Sequence, residues 1–312
     1  MSVLYVTDLD GTLLDSTGRV GPETVEIVNS LVAEGLWFTV ATARAPRSAL
    51  PLLDRLDLRL PLVFMNGALV IDPVTGQTVS RNILASGPAR RVTDSYLTHG
   101  LRPFVHTLGP AGEQRVYYQG TGNACEEEYL SSRLAAGDDR FRLVRDFDAA
   151  LDEAVLSLNV MDHLHRLDPL ARALGADPDV FVHFGPSIHR PSFAWLEVCH
   201  PRANKGEAVR FVKEHVGADR LVCFGDNTND IEMFVVADES YAVANAHPRT
   251  RGAATGVIGA NDAHGVAVHL QATVRRSERV DDPGVVPRVA LPSDGLVYAE
   301  DLVDVCRSRP VE

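Results

Sequence analysis

The hydrophobic positions along the chain alternate between short apolar runs and helical periodicities. Residues 3–7 form an apolar, β-branched run that predicts a buried strand. Over 22–34 the apolar residues Val25, Val28, Leu31 and Val32 recur at helical spacing. Pro22 stands in the first turn and Gly35 marks the stop. A strand over 36–41, a helix over 46–56 and a strand over 62–65 follow. This βαβαβ order predicts a parallel sheet with helices on both faces. The alternation returns as a strand at 194–198, a helix at 205–216, a strand at 221–224, a helix at 228–236 and a strand at 241–244. A last strand and helix fit 255–259 and 265–272.

The middle of the chain reads differently. Runs at 103–107 and 115–119 flank a Gly/Pro loop and predict a hairpin. Further strands fit 155–160 and 180–184, with a helix near 169–174. The pattern predicts an α/β protein with a doubly wound parallel sheet formed by residues 1–83 and 189–272. A second α/β domain is inserted over 84–188. Residues 273–312 form a C-terminal extension of unassigned role. It opens on a linker-like stretch at 275–288, and 297–305 is apolar enough to dock as a strand or helix.

Composition narrows the class. The chain has 312 residues, 45% of them hydrophobic and 23% charged, so it can bury a sizeable core. Its apolar runs are far shorter than the roughly 20 residues a membrane helix needs, so no membrane contact is expected. The N-terminus enters a strand directly, with no basic start and no long apolar stretch, so no signal peptide is expected. The net charge of −12 argues against nucleic-acid binding but not against a small anionic substrate. Cys125, Cys199, Cys223 and Cys306 show neither CxxC pairing nor zinc spacing. They read as incidental thiols in a reducing cytoplasm.

The candidate chemistry gathers at predicted strand ends. Asp8-Leu9-Asp10-Gly11-Thr12 follows the first strand. Asp8 is placed to act as a nucleophile and Asp10 as a general acid/base, with Gly11 permitting a sharp turn. Alone, such a pair would read as solvated turn aspartates. Gly225-Asp226-Asn227-Thr228-Asn229-Asp230 follows another strand and opens a helix. It suits a hard cation such as Mg²⁺, with Asp226 as direct ligand and Asn229 and Asp230 orienting its surroundings. N-capping of the helix explains one of these residues but not three acids and amides together.

Asn204-Lys205-Gly206 also opens a helix, where anions are favoured and a lysine can reach a phosphoryl oxygen. Of the 30 basic residues only Lys205 and Lys213 are lysines, which suggests that a compact ammonium is wanted at 205. The bland reading is a surface lysine. Thr42 ends the second strand and offers a hydroxyl and an amide to a phosphate. Arg44 and Asn66 are candidates to face the substrate or the insert. His99, His106, His163, His165 and His183 lie in the insert, where a histidine can contact a phosphate or hydroxyl; ordinary packing is the simpler account. A nucleophilic carboxylate, an acid/base, a lysine, a hydroxyl and a cation site on one sheet edge together fit phosphoryl transfer.

With these residues in place, the chain resembles the haloacid-dehalogenase superfamily of phosphotransferases, in its Cof-type sugar-phosphatase branch. The resemblance rests on DLDGTLL over 8–14, Thr42, Lys205 in NKG, and GDNTND over 225–230. Asn66-Gly67-Ala68, Leu196-Glu197-Val198, Asn245-Ala246 with Pro248, and Gly265-Val266-Ala267 add to it. Where the family usually has Gly, this chain has Ala43. The resemblance implies a Rossmann-like core with an inserted α/β cap. It implies that Asp8 takes the phosphoryl group, that Asp10 protonates the leaving alcohol and then activates water, and that Thr42 and Lys205 hold the phosphoryl group. It also implies that Mg²⁺ sits on Asp8, the Asp10 carbonyl and Asp226. A small phosphorylated metabolite, above all a sugar phosphate, is the expected partner, acted on by a monomer or homodimer. Two alternatives use the same core residues: a phosphosugar mutase and a catalytically weak phosphosugar-sensing protein.

Overall fold

Strands Val3–Thr7 and Arg220–Gly225 lie side by side in a five-stranded, all-parallel sheet. Its order is Gly256–Ile258, Glu239–Val243, Arg220–Gly225, Val3–Thr7, Trp37–Val40. Leu4, Val6, Leu221, Cys223 and Phe224 are fully buried, as expected where helices cover a parallel sheet. The chain leaves Val3–Thr7 toward one edge and returns from Arg220–Gly225 toward the other. Between these two strands the order reverses, and such a switch point opens a crevice at the strands' C-terminal ends. Asp8 and Asp226 stand there. The structure is a computed structural model that describes residues 2–186, 190 and 192–280.

The third expected strand, Leu62–Phe64, touches the parallel sheet only through an Ala41–Val63 bridge. It then pairs antiparallel with Leu69–Ile71, which pairs with Thr78–Arg81, in a small separate sheet that the pattern did not announce. The reversal is made by Met65, Asn66 and Gly67, all left-handed, with φ of 51°, 51° and 99°. Glycine takes that conformation freely and asparagine tolerates it; for Met65 it is strained.

The insert forms a six-stranded sheet. Its order is Phe181–Pro186, Phe193–Cys199, Ala154–His163, Phe104–Leu108, Gln114–Tyr118, Phe141–Leu143. The expected hairpin is present as Phe104–Leu108 against Gln114–Tyr118. Strand Phe193–Cys199, expected in the parallel core, belongs here instead. It pairs antiparallel with Ala154–His163 from Phe193↔His163 to Cys199↔Ser157. Buried on both faces, its apolar run looks the same whichever sheet receives it. Helices Ser86–Thr98 and Leu164–Leu174 cover one face over Val105, Leu158, Val160 and Leu196. Helix Ala124–Ala135 covers part of the other, with Tyr129 against Phe104, Phe141 and Trp195.

The described residues up to Gln271 form one compact unit. The last described helix is Gly265–Val280, longer than the expected 265–272, so the first residues of the expected linker are helical. The expected apolar segment at 297–305 and Cys306 lie outside the described residues. Among the described residues no helix is long and apolar enough to cross a membrane.

Candidate active site

The first strand delivers Asp8 to the switch point, 5% exposed. The chain then makes one irregular turn, Leu9–Leu13, in which Asp10 is extended and Gly11 has φ +76°. A Cβ on Gly11 would stand 2.5 Å from Asp226 Oδ2, so glycine is required both for the backbone and for the approach of Asp226. The turn also presents Thr12, whose hydroxyl donates to Asp226 Oδ1 at 3.1 Å.

Lys205 opens helix Lys205–Val216, with Asn204 as N-cap. It is no surface lysine, being fully buried. Its Nζ donates to Asp8 Oδ1 at 2.5 Å and to Asp230 Oδ1 at 2.6 Å. The second oxygen of Asp230 accepts from the backbone amides of Asp226 and Asn227 at 2.8 and 2.9 Å. Capping is done by Asn227, in a capping box closed by Asp230, so Asp226 is left free for another role.

Burial pushes the Asp8 carboxyl well above the usual carboxylate range; Lys205 opposes this, and the like charges of Asp230 and Asp226 add to it. Asp226 is pushed up to about 7 by burial and then by Asp230. Burial alone would lower the Lys205 ammonium, but Asp230 and Asp8 outweigh it and hold it charged.

One carboxylate oxygen from each of Asp8, Asp226 and Asp230 falls in a group whose members lie within 4.8 Å of one another. Three carboxylates face one ammonium, which leaves excess negative charge in a buried, all-oxygen cluster. That donor set fits a hard divalent cation. Because both Asp230 oxygens are engaged by Lys205 and backbone amides, Asp8 and Asp226 are the side chains free to hold it.

The remaining candidates line the rim. Arg44 donates through Nε and Nη2 to both oxygens of Asp10 at 2.7 Å, and this pairing holds the guanidinium above its usual range. Thr42 is fully buried. Its backbone amide, expected to be available to a phosphate, donates instead to Val63 O at 2.9 Å, in register with the bridge between their strands. Only its hydroxyl is left, and that oxygen accepts from the Arg44 amide at 3.1 Å. Asn66 accepts from Asn229 Nδ2 and donates to Glu197 Oε2, both at 3.1 Å.

The structure therefore brings Asp8, Lys205, Asp226 and Asp230 into direct contact. Arg44 and Asp10 form a separate pair, and Asn66 joins Asn229 to the insert. Lys205 does not follow a parallel strand: it enters from the antiparallel strand Phe193–Cys199. The sequence reading did not assign Glu197 or Thr12 a role. Glu197 carried a signal, as a carboxylate inside an otherwise apolar strand; Thr12 carried none beyond its place in the turn.

Of the insert histidines, His99 Nδ1 contacts Ser95 O, His163 and His165 stack on each other, and His183 Nε2 contacts Ala203 O. His106 is buried, and its Nε2 has no partner among the described residues.

The chain is similar to known phosphatases and shares the fold of solved hydrolases. The HMP-PP phosphatase of Serratia proteamaculans is 29% identical over 278 residues, covering 87% of this chain and 95% of that protein. The 5-amino-6-(5-phospho-D-ribitylamino)uracil phosphatase YitU of Bacillus subtilis is 26% identical over 275 residues, covering 86% and 96%. A solved haloacid dehalogenase-like hydrolase from Bacteroides thetaiotaomicron shares the fold, with a TM-score of 0.71, 21% identity, and coverage of 88% of this chain and all of that one. The family model of haloacid dehalogenase-like hydrolases matches residues 5–270, which hold every strand of both large sheets except the first two residues of Val3–Thr7. The chain is an enzyme that belongs to the haloacid dehalogenase-like hydrolase family.

Proposed function

We propose that the chain is a Mg²⁺-dependent phosphomonoester hydrolase that works through an aspartyl-phosphate on Asp8. Its substrate is a small phosphorylated metabolite, in the first instance a sugar phosphate. The observation that carries this reading is the buried contact of Lys205 with Asp8, beside the free carboxylate of Asp226. Asp8 attacks phosphorus through Oδ2, the oxygen not held by Lys205. The bond from phosphorus to the leaving oxygen breaks as Asp10 gives that oxygen its proton. Asp10 then takes a proton from water, which attacks the phosphorus, releases inorganic phosphate and restores Asp8. Lys205 and the Thr42 hydroxyl hold the phosphoryl oxygens.

Asp8, Asp226 and the Asp10 carbonyl would hold Mg²⁺, which when bound neutralises charge on the phosphoryl group. Arg44 donates to both oxygens of Asp10 and fixes its orientation at the rim of the site. The inserted sheet, acting as a cap over residues 84–199, excludes water and contacts the leaving group. The names of the two phosphatase relatives support hydrolysis of phosphate esters.

Phosphate release from a panel of phosphomonoesters, with Mg²⁺ or with EDTA, tests the reading on the wild type and Asp8→Asn. Release that needs both Mg²⁺ and Asp8 is expected. Isomerisation without release points to a mutase, and release that survives Asp8→Asn overturns the covalent step.

A further inference from the structure

Five buried side-chain atoms have no hydrogen-bond partner among the described residues, and three of them share one face of the inserted sheet: His106 Nε2, Ser157 Oγ and Asn159 Oδ1. Strand register places them together. Glu197 pairs with Asn159, Asn159 with Phe104, and Ser157 with His106. Alternation puts all of these on the face that carries Met161 and Trp195, opposite Leu158, Val160 and Leu196. Helix Ala124–Ala135 covers the Met161, Phe104 and Trp195 end. The polar patch lies beyond it and is about 10 Å wide at the usual strand spacing.

The patch is bracketed by contacts with the core. Glu197 accepts from Asn66; on the same face His183 Nε2 and Cys199 Sγ contact Ala203 O, two residues ahead of Lys205. On the other side Arg47, three residues after Arg44, donates to Gly137 O at 3.0 Å. Next to Gly137, Asp138 is closed on Arg140, whose charge acts on His106. The patch therefore spans the edge of the core that carries Asp8, Asp10 and Arg44. His106, Ser157 and Asn159 are 7%, 0% and 4% exposed. Each unpartnered buried polar atom costs about 1–3 kcal/mol, so three in one patch call for an occupant.

We propose that His106, Ser157 and Asn159, together with Glu197, form the specificity-determining subsite that binds hydroxyl groups of the leaving alcohol and so selects polyhydroxylated phosphomonoesters. This rests on the hydrolase reading above. The donor and acceptor set fixes the chemistry. Asn159 Oδ1 and the Glu197 carboxylate accept, while the Ser157 hydroxyl and the His106 ring nitrogen can donate or accept. A hydroxyl is the neutral group that answers both. His106 stays uncharged, because burial and then Arg140 hold its pKa down to about 3. Glu197 places negative charge on the patch, which disfavours a second phosphoryl group.

The test compares kcat/KM for a hexose 6-phosphate and for p-nitrophenyl phosphate, whose leaving group has no second hydroxyl, in the wild type, Ser157→Ala and Asn159→Leu. Neither substitution removes a hydrogen bond to Ser157 Oγ or Asn159 Oδ1, so neither variant is expected to fall below the wild-type Tm. The preference for the sugar ester is expected to fall at least tenfold, through KM. An unchanged preference overturns the proposal and assigns the three atoms to internal water. Calorimetric binding of the sugar phosphate to Asp8→Asn, with and without Ser157→Ala, reads the subsite without turnover; equal affinities overturn it. No release from any ester by the wild type would instead be a failure of the hydrolase reading, and the calorimetric comparison still decides the subsite.

Discussion

Arg44 closes on Asp10 with two parallel hydrogen bonds, Nε to Oδ2 and Nη2 to Oδ1, both 2.7 Å long. The fork geometry fixes the plane of the carboxylate as well as its position. The pair is 31% and 43% exposed, so it adds little to stability, about 1 kcal/mol or less. Its effect is on orientation. Arg44→Lys keeps the charge and loses the fork. We expect kcat to fall about tenfold or more with Tm unchanged, since small misplacements of reacting groups are costly. A wild-type kcat would show that Asp10 needs no such hold.

Among the described residues, Lys205 is the one cation bonded to the carboxylates of both Asp8 and Asp230. Lys205→Met leaves two buried carboxylates uncompensated and is expected to cost about 3–5 kcal/mol of folding stability. Urea unfolding measures it. Adding Asp230→Asn to Lys205→Met should recover part of the loss; no recovery would mean that charge is not the cause.

Asp226 titrates near 7 in the folded chain and near 3.8 when unfolded. A raised pKa gives stability that is present below 3.8 and lost as pH rises through 7. The metal-free protein should therefore lose thermal stability between about pH 4 and 8. Mg²⁺ at pH 8 should restore it by mass action, by about 2.7 kcal/mol at a hundred times its Kd. Asp226→Asn should remove this share of the pH dependence and abolish the Mg²⁺ response in thermal-shift measurements. A response that persists would place the ion elsewhere.

Glu126 offers a second, independent titration. It is 1% exposed, and burial pushes its pKa up to about 7, with Asp162 adding to the rise while the Gly122 amide, at 2.6 Å, opposes it. The sign is the same: stability is present below 4.5 and lost through 7. Glu126→Gln keeps an acceptor for Gly122. It should stabilise the protein at pH 8 by up to about 3 kcal/mol and change nothing at pH 4. Chemical denaturation at the two pH values checks this.

Gly11→Ala combines an unfavourable φ with a Cβ 2.5 Å from Asp226 Oδ2. Asp226 must then turn away from Asp8. We expect the Mg²⁺ affinity read by calorimetry to fall about tenfold or more, the scale of loss when a metal ligand's support is removed. An unchanged affinity would show that the carboxylate reaches its position by another route.

Much of this site was legible in the sequence because its residues lie at strand ends, where an apolar run stops and a polar residue begins. Asp8 and Asp226 could be placed that way, as could the parallel order around Val3–Thr7; Lys205 could not, since the strand before it belongs to the inserted sheet. What could not be read depends on partners distant in the chain. Phe193–Cys199 has the same apolar run whether it pairs with a core strand or with Ala154–His163. Helix Ala124–Ala135 shows a thin apolar stripe, since its packing rests on Tyr129 and Leu130. Glu197 stood in the sequence only as part of the Leu196-Glu197-Val198 similarity, and its contact depends on Asn66, 131 residues away. The Thr42 amide looked free until Val63 was seen to take it.

The two places where the chain passes between the sheets lie next to each other. Asn82 Nδ2 donates to Gly67 O at 2.8 Å and to Arg202 O at 3.2 Å, so one amide clasps the outgoing passage to the returning one. Two adjacent pivots define a single axle. Any rigid swing of the six-stranded sheet is therefore restricted to rotation about the line through residues 82 and 202. Lys205 lies three residues from that axle and Asp8 is in contact with it. Lys205 and Asp8 sit where such a rotation displaces atoms least; Ser157, one strand out from Phe193–Cys199, and His106, two strands out, sit where it displaces them more.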